Sequence, residues 1–412
     1  GVATYRSGGD VEFLKKLKSL GLSQFNAIIA ENNIDPAKTA DFVKKTESVI
    51  EKLKDYVDSY EVGNEMNIDI MRGKYTTDEL YPLYYKNSLL PTYNLIKSKY
   101  PNIKYIPSPF SDGQQEWIEK LTKGFDEDND GDGIAETHID GFWDKIDVVS
   151  THTYGTPYMP DEYGQYKPKH MGGAWCIEGA LQRIDDCLTR LCKDKTEKDL
   201  YITEVGYATS PGTSNKIDLR TQADYLVRCG ILCSAYGADR IQFYCMYDRP
   251  SYGTGFDHID DEWNFGVFYE ADYYGVFKPK PSGVAFAAMT RILESMEKNS
   301  TSIYQKYDEG YDFGGVRAFK CSTAEYGNVI VAYSNNEILN NAKKNAVGGT
   351  GDRTPTLPWN NQWTKTDDTV FETNNKSVTV FDIMGNKTEY KASDGKVTIP
   401  LTGSPVYIIG AY

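Results

Sequence analysis

Apolar residues along the first three hundred positions switch repeatedly between two spacings. Strand-like runs stand at GVATYR (1–6), FNAIIA (25–30), SYEVGNE (59–65), IKYIPSP (103–109), DVVSTHTYG (147–155), LYITEVGY (200–207) and RIQFYCMY (240–247). Between them, positions 11–21, 39–57, 79–100, 178–192, 220–237 and 282–296 place apolar residues three and four apart, which predicts helices. Strand alternating with helix implies a parallel sheet with helices outside it, an α/β fold. Seven strands and a closing helix are one βα unit short of a (β/α)8 TIM barrel, so the pattern predicts such a barrel over residues 1–300 with its first unit absent from this N-terminus. An open doubly wound sheet is the competing arrangement. It usually carries a glycine-rich phosphate turn after its first strand, and none is present.

From about residue 303 the pattern changes to short alternating strands split by Gly, Asn and Asp: GGVRAFKC, NVIVAYSN, SVTVFDIMGN, KVTIPLT and SPVYIIGAY. This predicts an antiparallel β-sandwich domain over 301–412. Residues 335–368, rich in Asn, Thr, Gly and Pro, read as a long loop within it. A chain of 412 residues suits one barrel and one smaller domain.

The net charge of −14 repels phosphate backbones and anionic membranes, so nucleic acid is excluded as a partner and a neutral substrate fits better. No apolar run is long enough to span a bilayer and no signal peptide is recognisable, while the first residue, Gly1, points to processing or trimming. The seven cysteines form no CxxC pair and read mostly as buried thiols. The 32 tyrosines suit stacking on sugar rings as well as filling core edges.

Active sites of barrels form at the C-terminal ends of the strands. Those ends carry Arg6, Glu65, His152, Tyr154 and Glu204. A pair of carboxylates flanking a sugar oxygen is the apparatus of most glycosidases. Either Glu alone, among 59 acidic residues, reads as an ordinary solvated side chain. Together, however, Asn64-Glu65, the HTY of 152–154 and the ITEVGY of 202–207 resemble the clan A retaining glycoside hydrolases over roughly residues 1–300. The segment 265–286 is similar to that clan's approach to its eighth helix.

The resemblance implies roles. Glu65 would be the proton donor, Asn64 would hydrogen-bond the sugar 2-hydroxyl, and Glu204 would be the nucleophile, kept ionised by Arg6 and Tyr154. His152 ends the strand between them. The clan usually offers a Trp platform at the end of the eighth strand; here Tyr244 and Tyr247 stand in that stretch, and Trp263 is an alternative that serves a core role equally well. The chain is therefore expected to be a retaining β-glycoside hydrolase acting on a plant or microbial polysaccharide or oligosaccharide, extracellular or on the surface of a bacterium. A catalytically inactive carbohydrate-binding barrel or a surface protein is the alternative.

A second motif, DEDNDGDGIAE (126–136), alternates Asp128, Asp130 and Asp132, turns at Gly133 and continues to Glu136. It resembles calcium loops, with Asp128, Asp130, Asp132, the Ile134 carbonyl and Glu136 as ligands of a structural Ca2+. Its place between the fifth and sixth barrel strands predicts a role in stiffening the active-site rim; an acidic loop without metal is the alternative. The four histidines contain no HExxH, so catalytic zinc is not expected, nor is any organic cofactor.

Overall fold

A computed structural model describes residues 4–7, 10–111, 115–155, 160–161, 177–191, 198–209, 217–248, 264–270, 275–296, 301–306, 315–335 and 366–412. In chain order the first half contains β1 (Thr4–Ser7), α1 (Val11–Ser19), β2 (Gln24–Ile29), α2 (Thr39–Leu53), β3 (Ser59–Val62), the one-turn α3 (Ile68–Met71), α4 (Thr77–Tyr84) and α5 (Leu90–Lys99). There follow β4 (Lys104–Pro107), β5 (Phe110–Ser111), α6 (Gln115–Lys123), β6 (Gly124–Glu127), β7 (Thr137–Asp140), β8 (Val148–Thr153), α7 (Ile177–Leu191), β9 (Asp199–Val205), α8 (Leu219–Ala235), β10 (Arg240–Phe243) and α9 (Pro281–Ile292).

Strands β1-β2-β3-β4 form one parallel sheet and β10-β9-β8-β5 another. The sheets abut at both edges, β4 beside β8 and β1 beside β10, so no described strand separates the first from the last. Polar side chains also cross between them: Arg240 of β10 grips Asp58 with two nitrogens, at 2.9 and 3.1 Å, and Gln242 donates to Asn26 of β2. All four residues of β3 and all six of β8 are buried, as expected of parallel strands covered on both faces. The helices bury one stripe each. In α2 that stripe is Phe42, Thr46, Ile50 and Leu53, at helical spacing.

The single helix predicted for 79–100 is instead two helices joined by a π-helical turn at Tyr85–Leu89. Pro91 lacks the N–H that would bond the Asn87 carbonyl four residues earlier; the Asn33 side chain donates to that carbonyl at 2.9 Å instead. The Asn87 amide in turn caps the Leu83 carbonyl at 2.9 Å. Proline and asparagine together make the wider turn stable.

The C-terminal part contains β11 (Thr301–Lys306), β12 (Val316–Thr323), β13 (Gly327–Ser334), β14 (Asp367–Glu372), β15 (Ser377–Asp382), β16 (Lys387–Lys391), β17 (Lys396–Leu401) and β18 (Val406–Ile409). Six of these form an antiparallel sheet, β11-β12-β13-β18-β15-β16, and β14 pairs with β17. Most of the loop expected at 335–368 lies outside the described residues. In β13, Ile330 and Ala332 face the β14–β17 pair, whereas Val329, Val331 and Tyr333 pack on α8 and α9. One hydrophobic core therefore runs across residue 300, joining helices of the parallel part to the antiparallel sheet.

A buried ionic cluster reinforces this seam. Arg228 of α8 donates to Asn335 at 2.7 Å and to the Gly403 carbonyl, stacks 4.2 Å above the Tyr333 ring, and pairs with Asp161 at 3.5 Å. Arg317 of β12 grips Glu178 of α7 at 2.5 and 2.9 Å and reaches Asp161 at 3.5 Å. Burial pushes the Asp161 carboxyl up, but the two guanidinium groups outweigh it and hold the group below its ordinary range; in Glu178 burial prevails and the carboxyl is raised. Removing one member of a buried pair strands the other charge. Arg228→Met should lower unfolding free energy by about 3–5 kcal/mol in urea titrations, and a loss under about 1 kcal/mol would contradict this account of the seam.

Candidate functional site

Glu65 is presented by a short turn that other loops hold in place. Gly63 has φ +95°, and a side chain there would collide with Asn32 Oδ1 at 2.8 Å. The Asn32 amide acts as a substitute strand neighbour, donating to the Asn64 carbonyl at 2.7 Å and accepting from the Asn64 N–H at 2.8 Å. Glu65 itself sits at φ +46°, a costly backbone region for a residue with a Cβ. Ser108, after β4, accepts from the next N–H, Met66, at 2.9 Å and so secures the turn. Asn32 and Ser108 have no signature in the sequence, because their partners are backbone groups far along the chain.

Glu204 reaches the site through a β-bulge. Thr151 pairs with Ile202 but His152 pairs with Glu204, so Thr203 is an extra residue in β9. Simple alternation would put Glu204 on the side of Ile202, which packs against α7 and α8. The bulge turns it to the side of Tyr201, which clusters with Ile106 and Val148 between the strands. Val205 then returns to the helix side.

The two carboxylates meet around His152. Its Nδ1 lies 2.8 Å from Glu65 Oε1 and 3.6 Å from Glu204 Oε2, with the side chain fully enclosed. One oxygen from each glutamate and the ring nitrogen all lie within 4.8 Å of one another. Tyr154 donates its hydroxyl to Glu204 Oε2 at 2.6 Å. Burial first, then the charge of Glu204, pushes the Tyr154 phenol well above its ordinary range, so it stays a donor. Two carboxylates and an imidazole are also a donor set that could ligate a divalent cation.

Tyr244 follows β10 directly, its N–H bonding the Val205 carbonyl at 2.9 Å and its peptide to Cys245 being cis. Phe265 packs edge-on against both Tyr154 (5.6 Å) and Tyr244 (5.5 Å), a wall residue that the pattern of the chain did not mark. Tyr247 stands apart: its ring is exposed and lies 5.0 Å from Phe277. In β1 the backbone of Arg6 pairs with Asn26 of β2. Trp263 lies outside the described residues. Below the wall, buried Lys280 donates to Asp248 (2.8 Å), Thr209 (2.9 Å) and the Asn264 carbonyl (3.1 Å), tying together the segments that leave β9 and β10. Burial lowers the pKa of its ammonium, with Asp248 opposing.

The acidic motif forms the tip of the β6–β7 hairpin. Asp128 accepts from the N–H groups of Gly131 (2.6 Å) and Gly133 (2.8 Å), and the side-chain oxygens of Asp128, Asp130, Asp132 and Glu136 gather within 4.8 Å. The rim placement expected for it does not hold. The hairpin belongs to the connection from α6 into the start of β8, whereas Glu65 and Glu204 stand at the opposite ends of their strands. The order of helix and strand decides this, since a helix-to-strand connection returns the chain to the N-terminal ends.

No family model matches the chain, and no curated protein matches its sequence. Solved structures do match its fold. A family 39 glycoside hydrolase from the gut symbiont Bacteroides cellulosilyticus WH2 aligns with a TM-score of 0.64 at 16% identity, over 99% of this chain and 75% of that one. The glycoside hydrolase family 30 subfamily 8 xylanase Xyn30A from Clostridium acetobutylicum aligns at 0.51 and 12% identity, over 100% and 95%. AbfB, a family 51 alpha-L-arabinofuranosidase from Bifidobacterium longum, aligns at 0.51 and 9% identity, over 96% and 78%. These neighbours are clan A glycoside hydrolases, and this chain shares their fold.

Gly206, just beyond Glu204, permits the close approach of the Tyr244 backbone: a Cβ there would stand 2.1 Å from the Tyr244 carbonyl oxygen. Gly206→Ala should therefore destabilise the protein by about 1–3 kcal/mol and shift the Tyr244 peptide. Thermal melting and a structure of the variant would show it; an unchanged melting temperature would contradict the packing described.

Proposed function

We propose that the chain is a retaining β-glycoside hydrolase acting on a plant or microbial polysaccharide or oligosaccharide. The observation that carries the reading is the convergence of Glu65 and Glu204, with carboxylate oxygens within 4.8 Å, at the ends of two parallel strands. Retaining enzymes keep their carboxyl groups about 5–5.5 Å apart, and inverting ones about 6.5–9.5 Å to admit a water. The neighbours in fold support a carbohydrate as substrate. On this reading the parallel strands belong to a (β/α)8 barrel, and the C-terminal sheets form an accessory β-sandwich.

In the first step Glu65 gives its proton to the glycosidic oxygen as that bond breaks, and the Glu204 carboxylate bonds to the anomeric carbon. In the second, Glu65 takes a proton from water, whose oxygen attacks the anomeric carbon and releases Glu204. Tyr154 orients Glu204 for in-line attack. His152, bonded to Glu65, fixes the rotamer of the acid and lies within reach of both carboxylates. Asn64 would bond the sugar 2-hydroxyl, Arg6 would keep Glu204 ionised, and Tyr244 with Phe265 would wall the bound ring. A non-catalytic carbohydrate-binding protein is the alternative. Secretion or display on a bacterial surface would suit a polymeric substrate too large to enter a cell.

Glu204→Ala should abolish turnover of every substrate. Glu65→Ala should retain the first step on nitrophenyl glycosides, whose leaving group needs little protonation. Azide should then rescue the two variants with opposite outcomes, giving a β-glycosyl azide from Glu65→Ala and an α-azide from Glu204→Ala. Reversed configurations would swap the roles, and wild-type activity in both variants would place the chemistry elsewhere.

We also propose that the β6–β7 tip binds one structural Ca2+ through Asp128, Asp130, Asp132, the Ile134 carbonyl and Glu136. Closely spaced carboxylates favour a hard cation with oxygen ligands. Because binding to the folded state alone stabilises it, millimolar calcium should raise the melting temperature of chelator-treated protein. An identical curve with and without calcium would leave the tip merely acidic.

A further inference from the structure

Twelve large hydrophobic side chains stand exposed among the described residues, and five of them, Met246, Tyr247, Tyr269, Val276 and Phe277, belong to the segments that leave the C-terminal end of β10. The other seven are spread along the chain from Leu20 to Tyr412. Clustered exposed apolar groups on a water-facing surface mark a place where something binds.

These rings are held on a firm base. Residues 245–248 pair with 265–268: Val267 N–H bonds the Cys245 carbonyl (3.1 Å), Phe268 N–H the Met246 carbonyl (3.0 Å) and Asp248 N–H the Phe268 carbonyl (3.0 Å). The Tyr269 N–H bonds the Lys278 carbonyl at 2.8 Å, bringing the Val276–Phe277 stretch alongside. Lys280 secures Asp248 beneath. Tyr247 and Phe277 face each other at 5.0 Å, with ring planes inclined by 44°.

The same ribbon carries Tyr244 and Phe265 at its root, against Tyr154 and hence Glu204. Tyr247 lies three residues beyond Tyr244 on the same ribbon, and its exposed ring meets Phe277, whereas the ring of Tyr244 packs on Phe265. Ring faces suit the C–H faces of a sugar and a phenol hydroxyl suits its rim. The chain's net charge of −14 favours a neutral saccharide over an anionic one.

We infer that Tyr247 and Phe277 form an outer subsite for a neutral oligosaccharide chain that continues from the carboxylate pair. The inference rests on the hydrolase reading above and specifies it: the sugar chain runs from the carboxylate pair along the ribbon that bears Tyr247 and Phe277.

The test measures binding of cellotetraose, xylotetraose and laminaritetraose to Glu204→Gln protein by calorimetry, with and without Tyr247→Ala and Phe277→Ala together. At least one tetrasaccharide should bind, and the double substitution should weaken it about tenfold, the size of a stacking contact. Phe277→Tyr, which keeps the ring, should restore most of the affinity that Phe277→Ala loses, and matching circular dichroism would exclude misfolding. In the catalytically intact chain, the ratio of kcat/KM on the tetrasaccharide to that on a nitrophenyl monoglycoside should fall by a similar factor. Absence of binding to all three, or affinity indifferent to both rings, would overturn the subsite. If nitrophenyl glycosides are cleaved while tetrasaccharide affinity ignores the rings, the subsite alone falls. If tetrasaccharides bind through the rings yet nothing is cleaved, the hydrolase reading falls and the subsite stands.

Discussion

Two carboxyl groups with oxygens within 4.8 Å of each other have to be held at that spacing, and the side chains around them do so. The imidazole of His152 stands between them and the hydroxyl of Tyr154 is committed to Glu204. Both side chains come from one strand end, two residues apart, so a single element sets the spacing of the pair. The remaining features of the site follow from placing Glu65 and Glu204 on either side of β8. Glu65 needs a turn with unusual backbone angles, and Glu204 needs a bulge to leave the helix-facing side of β9.

Such geometry is unfavourable locally and has to be maintained by neighbours. Asn32 supplies the missing strand partner for Asn64, and Ser108 secures the following peptide. On the far side Lys280 collects an aspartate, a threonine and a carbonyl under the ribbon that bears Tyr244 and Phe265. A buried ammonium is tolerated there because each of its three protons has an acceptor. These supports hold the turns and loops that carry the glutamates and the aromatic rings, which is the division expected of a site pre-organised before its ligand arrives.

The antiparallel sheet is continuous with this scaffold. Its β13 strand buries both faces, one against β14–β17 and the other against α8 and α9, and the guanidinium groups of Arg228 and Arg317 bind across the seam. The helices so braced include α8, which follows β9 and precedes β10, the strands that present Glu204 and Tyr244. No helix among the described residues is long and apolar enough to cross a membrane.

The alternation of spacings in the chain was enough to give the parallel strands, most of the helices and the strand ends at which Glu65, His152, Tyr154 and Glu204 gather, because burial on two faces or on one stripe imposes those periods directly. Its limits are equally physical. The helix over 79–100 reads as continuous because a hydrophobic stripe does not register one missing N–H, yet Pro91 and the amide of Asn33 open a π-turn there. Tyr247 shares a segment with Tyr244, but the paired ribbon carries it outward to Phe277, while Phe265 arrives at the wall from a different stretch of chain. The acidic hairpin stands on the connection into the start of β8, a matter of topology rather than of spacing. Above all, strict alternation would send Glu204 to the wrong face of its strand, and only the pairing of β9 with β8, where one extra residue is accommodated at Thr203, turns the carboxylate toward its partner. Residue types and periods are local properties of the chain; which backbone groups lie opposite one another is decided by contacts between distant segments, and those exist only once the chain has folded.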